Sequence, residues 1–564
     1  MLLINWNVAA WATTIALINQ HYGSLGAWMK RHGCDILTLQ EVKLSTTKVA
    51  DEPNACGARE AGLESAWSLY RPASVPASEP AQRKRAGSWN GVATFTLSGL
   101  LACADADPLG VADLDCEGRC LCTDHGAFSL FNVYVPTGSD LPLKLRFLRA
   151  LRRAMAVKRA STARPVVLVG DLNLAMRAAD VPWRERLVSL SRALGEDGAQ
   201  PYADLPALLA AKLQRLGPSV RAVLATLELV SVPGRDEGKV GQYTRPHESW
   251  RATWRPPDGG RAVTLGKPHD DEGSARKRWA MISQDVVMPD PEDPAAPHLL
   301  LWKAGHLSVY HLQEVLVKAV GQPFSDEEAR ALAAHGESYS PPCLRDWASS
   351  LIQEDGMVDS FAEMHPNAQE RFTCWQQHTN TRYDNGGIRI DYMFVDAALA
   401  GRIQRGAPLP KGSWPGDENA AEAAASAATA GGRWQPAPYD GSGMADAPLS
   451  VFDTQFEPPA TGIRYMPPRY SDHTATSLLL ADVDEEATPL TLRLDATTLK
   501  ACPHRQSRTI TSFFAPRPPG AVAEEVPPAG NGDKKRKAAE PARPPGQKSV
   551  RDMFDVGGRQ RQGT

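Results

Sequence analysis

Short apolar runs that end in polar residues recur along most of the chain. The clearest is 166–173, VVLVGDLN, in which four apolar residues run into Gly170, Asp171, Leu172 and Asn173. A short apolar run bounded by glycine is typical of a buried central strand. Because side chains alternate along a strand, Asp171 and Asn173 lie on the same side of it. The pattern predicts a carboxylate and an amide together at the rim of a sheet.

An acid beside an amide at a strand end can hold a water molecule, a metal ion or a phosphate oxygen. An aspartate that only caps the next turn is at least as common, so this stretch alone does not distinguish a binding site from a turn cap. Two earlier runs have the same form. The run 2–6 ends at Asn7, and the run 35–39 continues into Gln40 and Glu41. For Glu41, a solvated charge at a strand end is an equally good interpretation.

The apolar runs alternate between strand and helix spacing in two halves of the chain. This order predicts a two-sheet α/β sandwich with long insertions, in which polar groups at strand ends converge on one rim. Further strands are predicted at 91–96, 372–375 and 388–395, in a hairpin at 120–135, and after 473. Helices are predicted at 11–29, 141–160, 329–334 and 344–352, the third from the capping-box spacing of Ser325 and Glu328.

Asp391 lies inside the predicted strand 388–395, IRIDYMFV, where a lone buried carboxylate is costly and needs a basic partner. His473 is a natural partner, because a carboxylate would fix its tautomer and favour its charged form. Tyr134 falls late in the predicted hairpin. A tyrosine there is more often a half-buried packing residue than a catalytic one.

Two regions lack candidate chemistry. Residues 195–340 mix helical patches with loops rich in Pro, Gly and charge, and 401–465 is rich in Ala, Gly and Pro. We predict that both are insertions. The predicted helix 141–160 carries many Lys and Arg residues, and such a face is either solvated surface or a contact for a polyanion.

The totals describe a globular chain of 564 residues with a net charge of −3 and nine Cys. The charge excludes a strongly basic chain but is compatible with a local basic groove. Cys116, Cys120 and Cys122 have no second cluster to complete a zinc set, so we expect reduced thiols and an intracellular protein. Without a long apolar window or a basic leader, we expect no transmembrane helix and no signal peptide.

From about residue 501 the composition shifts to Pro, Ala, Gly and charge, which cannot bury enough apolar surface to fold. We therefore predict one domain at 1–482 and a largely disordered tail at 483–564. The tail holds two apolar islands, at 510–514 and 550–554. Its basic run KKRK, at 534–537, is typical of a nuclear-import signal or of ordinary solvated charge.

Nine segments together resemble the exonuclease III family of the endonuclease/exonuclease/phosphatase superfamily, in that family's order. They are NWNV (5–8), LQEVKL (39–44), GVATF (91–95), EGRC with TDHG (117–126), NVYVP (132–136), VGDLN (169–173), FTCW (372–375), RIDYMF (389–394) and SDH (471–473). Within the family, EGRC before TDHG and FTCW before RIDY are most similar to the second eukaryotic type of abasic-site endonuclease, which is linked to PCNA.

The resemblance implies Mg²⁺ as cofactor, with Mn²⁺ as a substitute, and a role for each matching residue. Glu41 would be the principal metal ligand. The other residues implied near the metal are Asn7, Asp171, Asn173, Asp472 and His473. Asp171 would activate the attacking water and Asn173 would orient the water or the phosphate. Whether Asp171 or His473 is the base stays open.

The same resemblance implies contacts to the substrate. Asn7, Tyr134, Asn173 and His473 would hold the scissile phosphate, with His473 oriented by Asp391. Phe372 and Trp375 would wall the pocket for the sugar that lacks a base.

The function implied is a nuclear, Mg²⁺-dependent DNA repair phosphodiesterase, which cuts DNA at abasic sites and trims 3′ ends in base excision repair. Superfamily phosphatases and RNA deadenylases are one alternative. A weakly active or non-catalytic scaffold that tethers PCNA to damaged DNA is another. Its support is Ala9, followed by Ala10, where the family usually has Asp or Asn and then Gly. Ile388 also replaces a usual Trp.

The second eukaryotic type of abasic-site endonuclease commonly carries a small zinc-binding module. No Cys follows Cys502 in this sequence, so we do not expect that module here.

Two tail segments resemble PCNA-binding peptides, in which a short turn places three apolar groups in one pocket. In the segment 507–514 the matching residues are Ile510, Phe513 and Phe514, with Ser507 in place of the usual Gln. In the segment 547–554 they are Gln547, Val550, Met553 and Phe554.

Overall fold

The computed structural model describes residues 1–71, 90–137, 140–196, 198–233, 248–269, 271–376, 381–382, 385–404, 461–464 and 466–483. Both PCNA-like segments and the basic run lie outside these residues, as does most of the predicted 401–465 insertion. Among the described helices, none has the length and apolarity that crossing a membrane would require.

Two large sheets form the body of the described chain. The first contains a parallel central pair, Leu2–Asn7 and Ile36–Gln40, with antiparallel neighbours on either side. Its strands, in spatial order, are Ile403–Gln404, Ala475–Leu480, Leu2–Asn7, Ile36–Gln40, Val92–Leu97 and Leu63–Ser68, with Gly462–Arg464 also paired to Ala475–Leu480. The second sheet consists of Met357–Asp359, Asp391–Asp396, Val166–Asp171, Ser129–Tyr134, Cys120–Asp124 and Cys103–Asp105.

The two sheets pack face to face, and helices cover their outer faces. Leu3 and Leu478 of the first sheet and Val167 and Val395 of the second belong to one buried cluster between them. The run 166–169 is apolar on both faces because one face meets the other sheet and one meets a helix. This arrangement confirms the predicted two-sheet α/β sandwich. Its helices are Trp11–Tyr22, Leu25–Arg31, Thr46–Asp51, Ala112–Asp115, Leu141–Thr162, Pro342–Gln353, Ser360–Met364 and Ala397–Ala400.

Strand register brings the polar strand ends to one rim. Asn7 lies opposite Gln40 in the parallel pair of the first sheet. In the second sheet, Asp171 lies opposite both Tyr134 and Asp391. Gly170 permits this close pairing, because a Cβ atom there would lie 2.0 Å from the Val133 carbonyl oxygen.

Residues of the predicted insertion 195–340, together with residues 183–194 before it, form a core of their own that the sequence did not reveal. Its buried residues, such as Trp279, Leu213 and Leu307, are far apart in the sequence, so no local hydrophobic periodicity predicted that they pack together. The strands are Leu187–Ser189 with His306–Ser308, Val286–Met288 with Leu299–Trp302, and the sheet Glu228–Pro233, Glu248–Trp254 and Val263–His269. The helices are Leu190–Leu194, Ala207–Ala225, Glu272–Arg278, Val309–Val315 and Asp326–Ala333, with a π-helical turn at Leu316–Val320 and short 3-10 turns at Ala178–Asp180 and Trp183–Glu185.

Three local predictions were wrong. The helix predicted at 11–29 is two helices, because Gly23 adopts φ +84° and Ser24 caps the second one. The segment 372–375 is not a strand; Cys374 makes single bridges to Ile388 and His473. Asp391 opens its strand rather than lying inside it.

The basic helix Leu141–Thr162 has its charges matched within the chain. Its cations lie against acidic side chains of several elements, so this face offers little free positive charge to a polyanion. The pairs are Arg146 with Asp113, Arg149 with Asp290, Arg152 with Glu354 and Asp355, Arg153 with Glu292, Lys158 with Asp124, and Arg159 with Asp396.

Candidate active site

Asn7 links the two carboxylates that the sequence analysis placed at the rim. Its Nδ2 donates to Glu41 Oε1 and to Asp171 Oδ2, each over 3.0 Å. Its Oδ1 accepts a hydrogen bond from the backbone N–H of Ala9 at 3.0 Å. The amide therefore has a fixed orientation and holds one carboxylate from each sheet.

Glu41 carries a negative charge at this rim. Burial acts to raise its pKa, but Lys43, whose Nζ lies 2.7 Å from Oε2, and the Asn7 amide lower it overall. Tyr134 lies nearby at the end of Ser129–Tyr134. Burial and the neighbouring Glu41 and Asp171 carboxylates raise the pKa of its phenol, so Tyr134 stays protonated and able to donate.

Asp171 occupies the last position of Val166–Asp171 and is almost fully buried. Its Oδ1 accepts from the backbone N–H of Asn173 at 2.8 Å. The Asn173 side chain donates to the Val135 carbonyl oxygen at 2.9 Å. Burial and the adjacent Asp391 raise the pKa of Asp171, and His473 opposes this shift.

His473 contacts two carboxylates of the second sheet. Its Nδ1 lies 2.8 Å from Asp391 Oδ2, which is the pairing expected from the sequence, and its Nε2 lies 3.9 Å from Asp171 Oδ2. Burial would lower the pKa of His473, but Asp391 holds it well above its usual value. The imidazole is therefore charged, with Nε2 directed towards Asp171.

The segment 471–473 is attached to the first sheet at Asn7. Ser471 Oγ donates to the Asn7 carbonyl oxygen at 2.7 Å and accepts from the His473 backbone N–H at 3.1 Å. Among the described residues, the clusters of potential metal-ligand atoms group Asp472 with Cys374 and His473, and Asp171 with Asp391 and His473. Glu41 belongs to neither cluster.

The two predicted pocket residues differ in exposure. Phe372 is 2% exposed, whereas Trp375 is partly exposed and the guanidinium of Arg382 lies 4.4 Å from its ring centroid. Between them, Thr373 Oγ1 accepts from the backbone N–H groups of Ile390 and Asp391 at 3.1 and 3.2 Å. The segment thus fixes the start of the strand that carries Asp391.

A buried ion network behind the site was missed from the sequence. Arg389 is 1% exposed, and its Nε lies 2.8 Å from Asp180 and its Nη2 2.6 Å from Asp359. The Tyr392 hydroxyl also contacts Asp180, at 3.2 Å. Asp180 and Asp359 are distant from Arg389 in the sequence, so no local pattern predicts the network. The one signal in the sequence is that a basic residue, Arg389, lies two positions before Asp391.

Lys144 was also missed as a site residue. It is 1% exposed, and its Nζ donates to the Asn173 carbonyl oxygen at 2.6 Å. Burial lowers its pKa to about 8, against the opposing effect of Asp171. The signal was present in the sequence, because Lys144 falls in helical register with Leu148 and Leu151 on the apolar stripe.

The donor set fits a hard divalent cation. Glu41 and Asp171 offer carboxylate oxygens, and one oxygen of the buried Asp391 has no hydrogen-bond partner among the described residues. Oxygen ligands are those that Mg²⁺ prefers. The Asn7 oxygen is already engaged by Ala9, so Asn7 positions the carboxylates in this structure.

Comparisons with known proteins identify relatives of this chain. The sequence model described as "Endonuclease/Exonuclease/phosphatase family" matches residues 5–306. The mouse (Mus musculus) protein named DNA-(apurinic or apyrimidinic site) endonuclease 2 is 27% identical over 125 residues, which cover 19% of this chain and 24% of the relative. The match therefore spans about a quarter of that protein's length. The crystal structure of the Xenopus laevis APE2 catalytic domain superposes with a TM-score of 0.39 and 15% identity, covering 85% of this chain and 91% of that one.

Proposed function

Because the chain belongs to the Endonuclease/Exonuclease/phosphatase family, we propose that it is a divalent-metal-dependent nuclease of DNA repair. We propose further that it cuts DNA at abasic sites and trims 3′ ends. Similarity to the mouse DNA-(apurinic or apyrimidinic site) endonuclease 2 supports the abasic substrate. The observation that carries the proposal is the rim itself, where buried Asp171 lies between the Asn7 amide and the imidazole of His473.

The chemistry proposed is hydrolysis of a phosphodiester. A water molecule attacks phosphorus, its proton passes to an Asp171 oxygen, and the bond between phosphorus and the leaving oxygen breaks. Asp171 is buried and is held by hydrogen bonds from the Asn7 amide and the Asn173 backbone N–H, so it is positioned to accept this proton. His473, which is charged, is a donor to the phosphoryl oxygens rather than a base. This assignment chooses Asp171 where the sequence left two candidates.

The remaining residues position these groups. We propose that Tyr134 and Asn173 bind the phosphate, since the phenol stays protonated and the Asn173 backbone N–H orients Asp171. We propose Glu41 and Asp171 as ligands of Mg²⁺, with Mn²⁺ as a substitute. The bound cation would neutralise charge that develops on the phosphoryl group. We assign Phe372 and Trp375 to the pocket for the base-free sugar, with Trp375 as its exposed wall.

The test uses two end-labelled duplexes, one with a single abasic site and one with a mismatched 3′ end, each with Mg²⁺ or EDTA. Cutting that requires Mg²⁺ is expected, and its ratio on the two substrates ranks the endonuclease and exonuclease activities. Asp171→Asn should abolish cutting and leave DNA binding intact. Full activity in that variant would overturn the mechanism. Exclusive cleavage of a phosphomonoester or of RNA would point to the phosphatase or deadenylase alternative.

The scaffold alternative depends on Ala9. In the structure it is the backbone N–H of Ala9 that holds the Asn7 amide, so a side chain at this position is not needed for that contact. Retained DNA binding with no cutting of either duplex would favour the scaffold.

We also propose that the tail binds PCNA and that the protein works in the nucleus. The support is the sequence of the two PCNA-like segments and of the basic run 534–537. Replacing Phe513 and Phe514, or Met553 and Phe554, with Ala separates the segments. Unchanged affinity for PCNA by calorimetry in both variants would show that neither segment binds. Substitution of the basic run with alanine should move a fluorescent fusion out of the nucleus.

A further inference from the structure

Cys374 lies beside the imidazole of His473, although the proposed mechanism gives it no role. The two residues form an antiparallel bridge between segments 372–375 and 471–473. The Cys374 sulfur, an Asp472 carboxylate oxygen and a ring nitrogen of His473 lie within 4.8 Å of one another. Cys374 and Asp472 are partly exposed, and His473 is buried.

We propose that Cys374, Asp472 and His473 form a second cation site, selective for a thiophilic ion such as Zn²⁺. Thiolate, imidazole and carboxylate are the ligands that Zn²⁺ takes, and three protein ligands with one open position are a common zinc arrangement. Mg²⁺ prefers an all-oxygen set and does not favour a thiolate. The cluster therefore differs in chemistry from the carboxylate pair of Glu41 and Asp171.

The surroundings of His473 suit a metal ligand. Its Nδ1 lies 2.8 Å from Asp391, which leaves Nε2 for the cation. A carboxylate behind a metal-bound histidine fixes the ring and makes it a better ligand. Binding releases the thiol proton of Cys374 and the Nε2 proton of a charged imidazole to solvent. The thiolate and the Asp472 carboxylate then balance the two charges of Zn²⁺.

The backbone holds the three ligands in place before any ion binds. The Trp375 backbone N–H donates to the Asp472 carbonyl oxygen at 3.1 Å, and that of Thr474 to the Thr373 carbonyl oxygen at 2.8 Å. Ser471 fixes the His473 N–H from the other side. Little of the site has to be ordered when the cation arrives.

An ion at this site would inhibit the enzyme, and this consequence depends on the proposed function. Zn²⁺ would take Nε2 of His473 away from the phosphoryl oxygens and place a cation beside Asp171. We therefore expect micromolar Zn²⁺ to inhibit cleavage supported by an excess of Mg²⁺.

The binding test does not require activity and uses Co²⁺ as a spectroscopic probe of the full chain. A thiolate-to-cobalt charge-transfer band is expected, at one ion per chain, and Zn²⁺ should displace it. Cys374→Ser should remove the band and weaken Zn²⁺ binding by more than about tenfold, which is the loss caused by removing even a partner behind a ligand. No band in the parent chain, or an unchanged band in Cys374→Ser, would overturn the proposal.

Two control variants exclude other thiols. Cys103 is the other partly exposed cysteine in the described part of the chain, and Cys502 lies outside it. Cys103→Ser and Cys502→Ser should keep the band. If one of these variants loses the band while Cys374→Ser keeps it, the ion is bound by Cys103 or Cys502 and not by Cys374. Circular dichroism of each variant shows whether it is folded, and Cys374→Ala is the substitute if Cys374→Ser is not.

The nuclease assay separates the two proposals. Zn²⁺ inhibition that weakens by more than about tenfold in Cys374→Ser supports both the site and the function. A cobalt band without any nuclease activity would confirm the site and refute the function. Nuclease activity with Mg²⁺, together with no cobalt band and no effect of Zn²⁺, would support the function and refute the cation site.

Discussion

His473 and Asp391 form a buried hydrogen-bonded pair, with 2.8 Å between Nδ1 and Oδ2. On the other side of the ring, Nε2 lies 3.9 Å from Asp171 Oδ2. Asp391 and Asp171 are register partners in adjacent strands, so one imidazole faces two carboxylates of the same sheet. This geometry keeps His473 charged and directs its second N–H into the site.

Asp391→Asn should therefore lower activity without removing a group that touches the substrate. We expect kcat for the proposed abasic-site cleavage to fall by about 100-fold or more, with a small change in KM, because the imidazole loses its orientation and its charge. NMR titration should show that the pKa of His473 falls, since Asp391 is the main cause of its rise. Asp396→Asn, at the other end of the same strand, is the control and should keep activity. An unchanged His473 pKa in Asp391→Asn would contradict this account.

Ala9→Asn should stabilise the protein. Ala9 has φ +53°, a left-handed conformation that costs most residues about 1 kcal/mol and that Asn tolerates better. Its N–H, which holds Asn7, is retained in the variant. Urea unfolding should show a gain of about 1 kcal/mol. Ala61→Asn, at an exposed position outside the left-handed region, should gain nothing, and an equal gain there would show that the backbone at Ala9 is not the cause.

Arg389→Met should be strongly destabilising. The variant leaves the buried Asp180 and Asp359 without their shared cation, and breaking such a buried pair costs about 3–5 kcal/mol. Arg153→Met is the matched control, because Arg153 is 59% exposed and its pair with Glu292 is worth less than about 1 kcal/mol. The measurement is chemical unfolding, and similar losses in the two variants would show that the buried network stabilises the fold no more than an exposed pair does.

The rim of the site could be predicted from the sequence because its signals are local. Asn7, Glu41 and Asp171 each follow a buried apolar run, and strand geometry alone places such residues at an edge. The pairing of His473 with Asp391 followed from the cost of burying a lone carboxylate. None of these inferences needed to know which strands are neighbours.

What the sequence did not show depends on contacts between distant segments. Arg389 meets Asp180 and Asp359 only when three parts of the chain come together. The segment that contains Cys374 is held by single bridges and by Thr373, so it has no strand period to detect. The core of the insertion was hidden for the same reason.

The described structure also predicts how stability changes with acid. His125 is 5% exposed, its Nδ1 lies 3.0 Å from the Leu100 carbonyl oxygen, and its Nε2 lies 2.8 Å from Thr123 Oγ1. A carbonyl oxygen only accepts, so Nδ1 carries the proton and Nε2 accepts from the hydroxyl. The neutral ring satisfies both contacts, and burial lowers its pKa from 6.5 to about 4.

Between these two pKa values the unfolded chain binds a proton that the folded chain does not. Stability is therefore complete above about pH 6.5 and falls as the pH drops towards 4, by an amount on the order of 3 kcal/mol from this ring. His125→Gln, which cannot titrate, should be less stable at neutral pH but should lose less between pH 6.5 and 4. His298→Gln, at an exposed position, should follow the parent curve. The measurement is urea unfolding at a series of pH values, and parallel curves for the parent and His125→Gln would show that this histidine is not the acid-sensitive group.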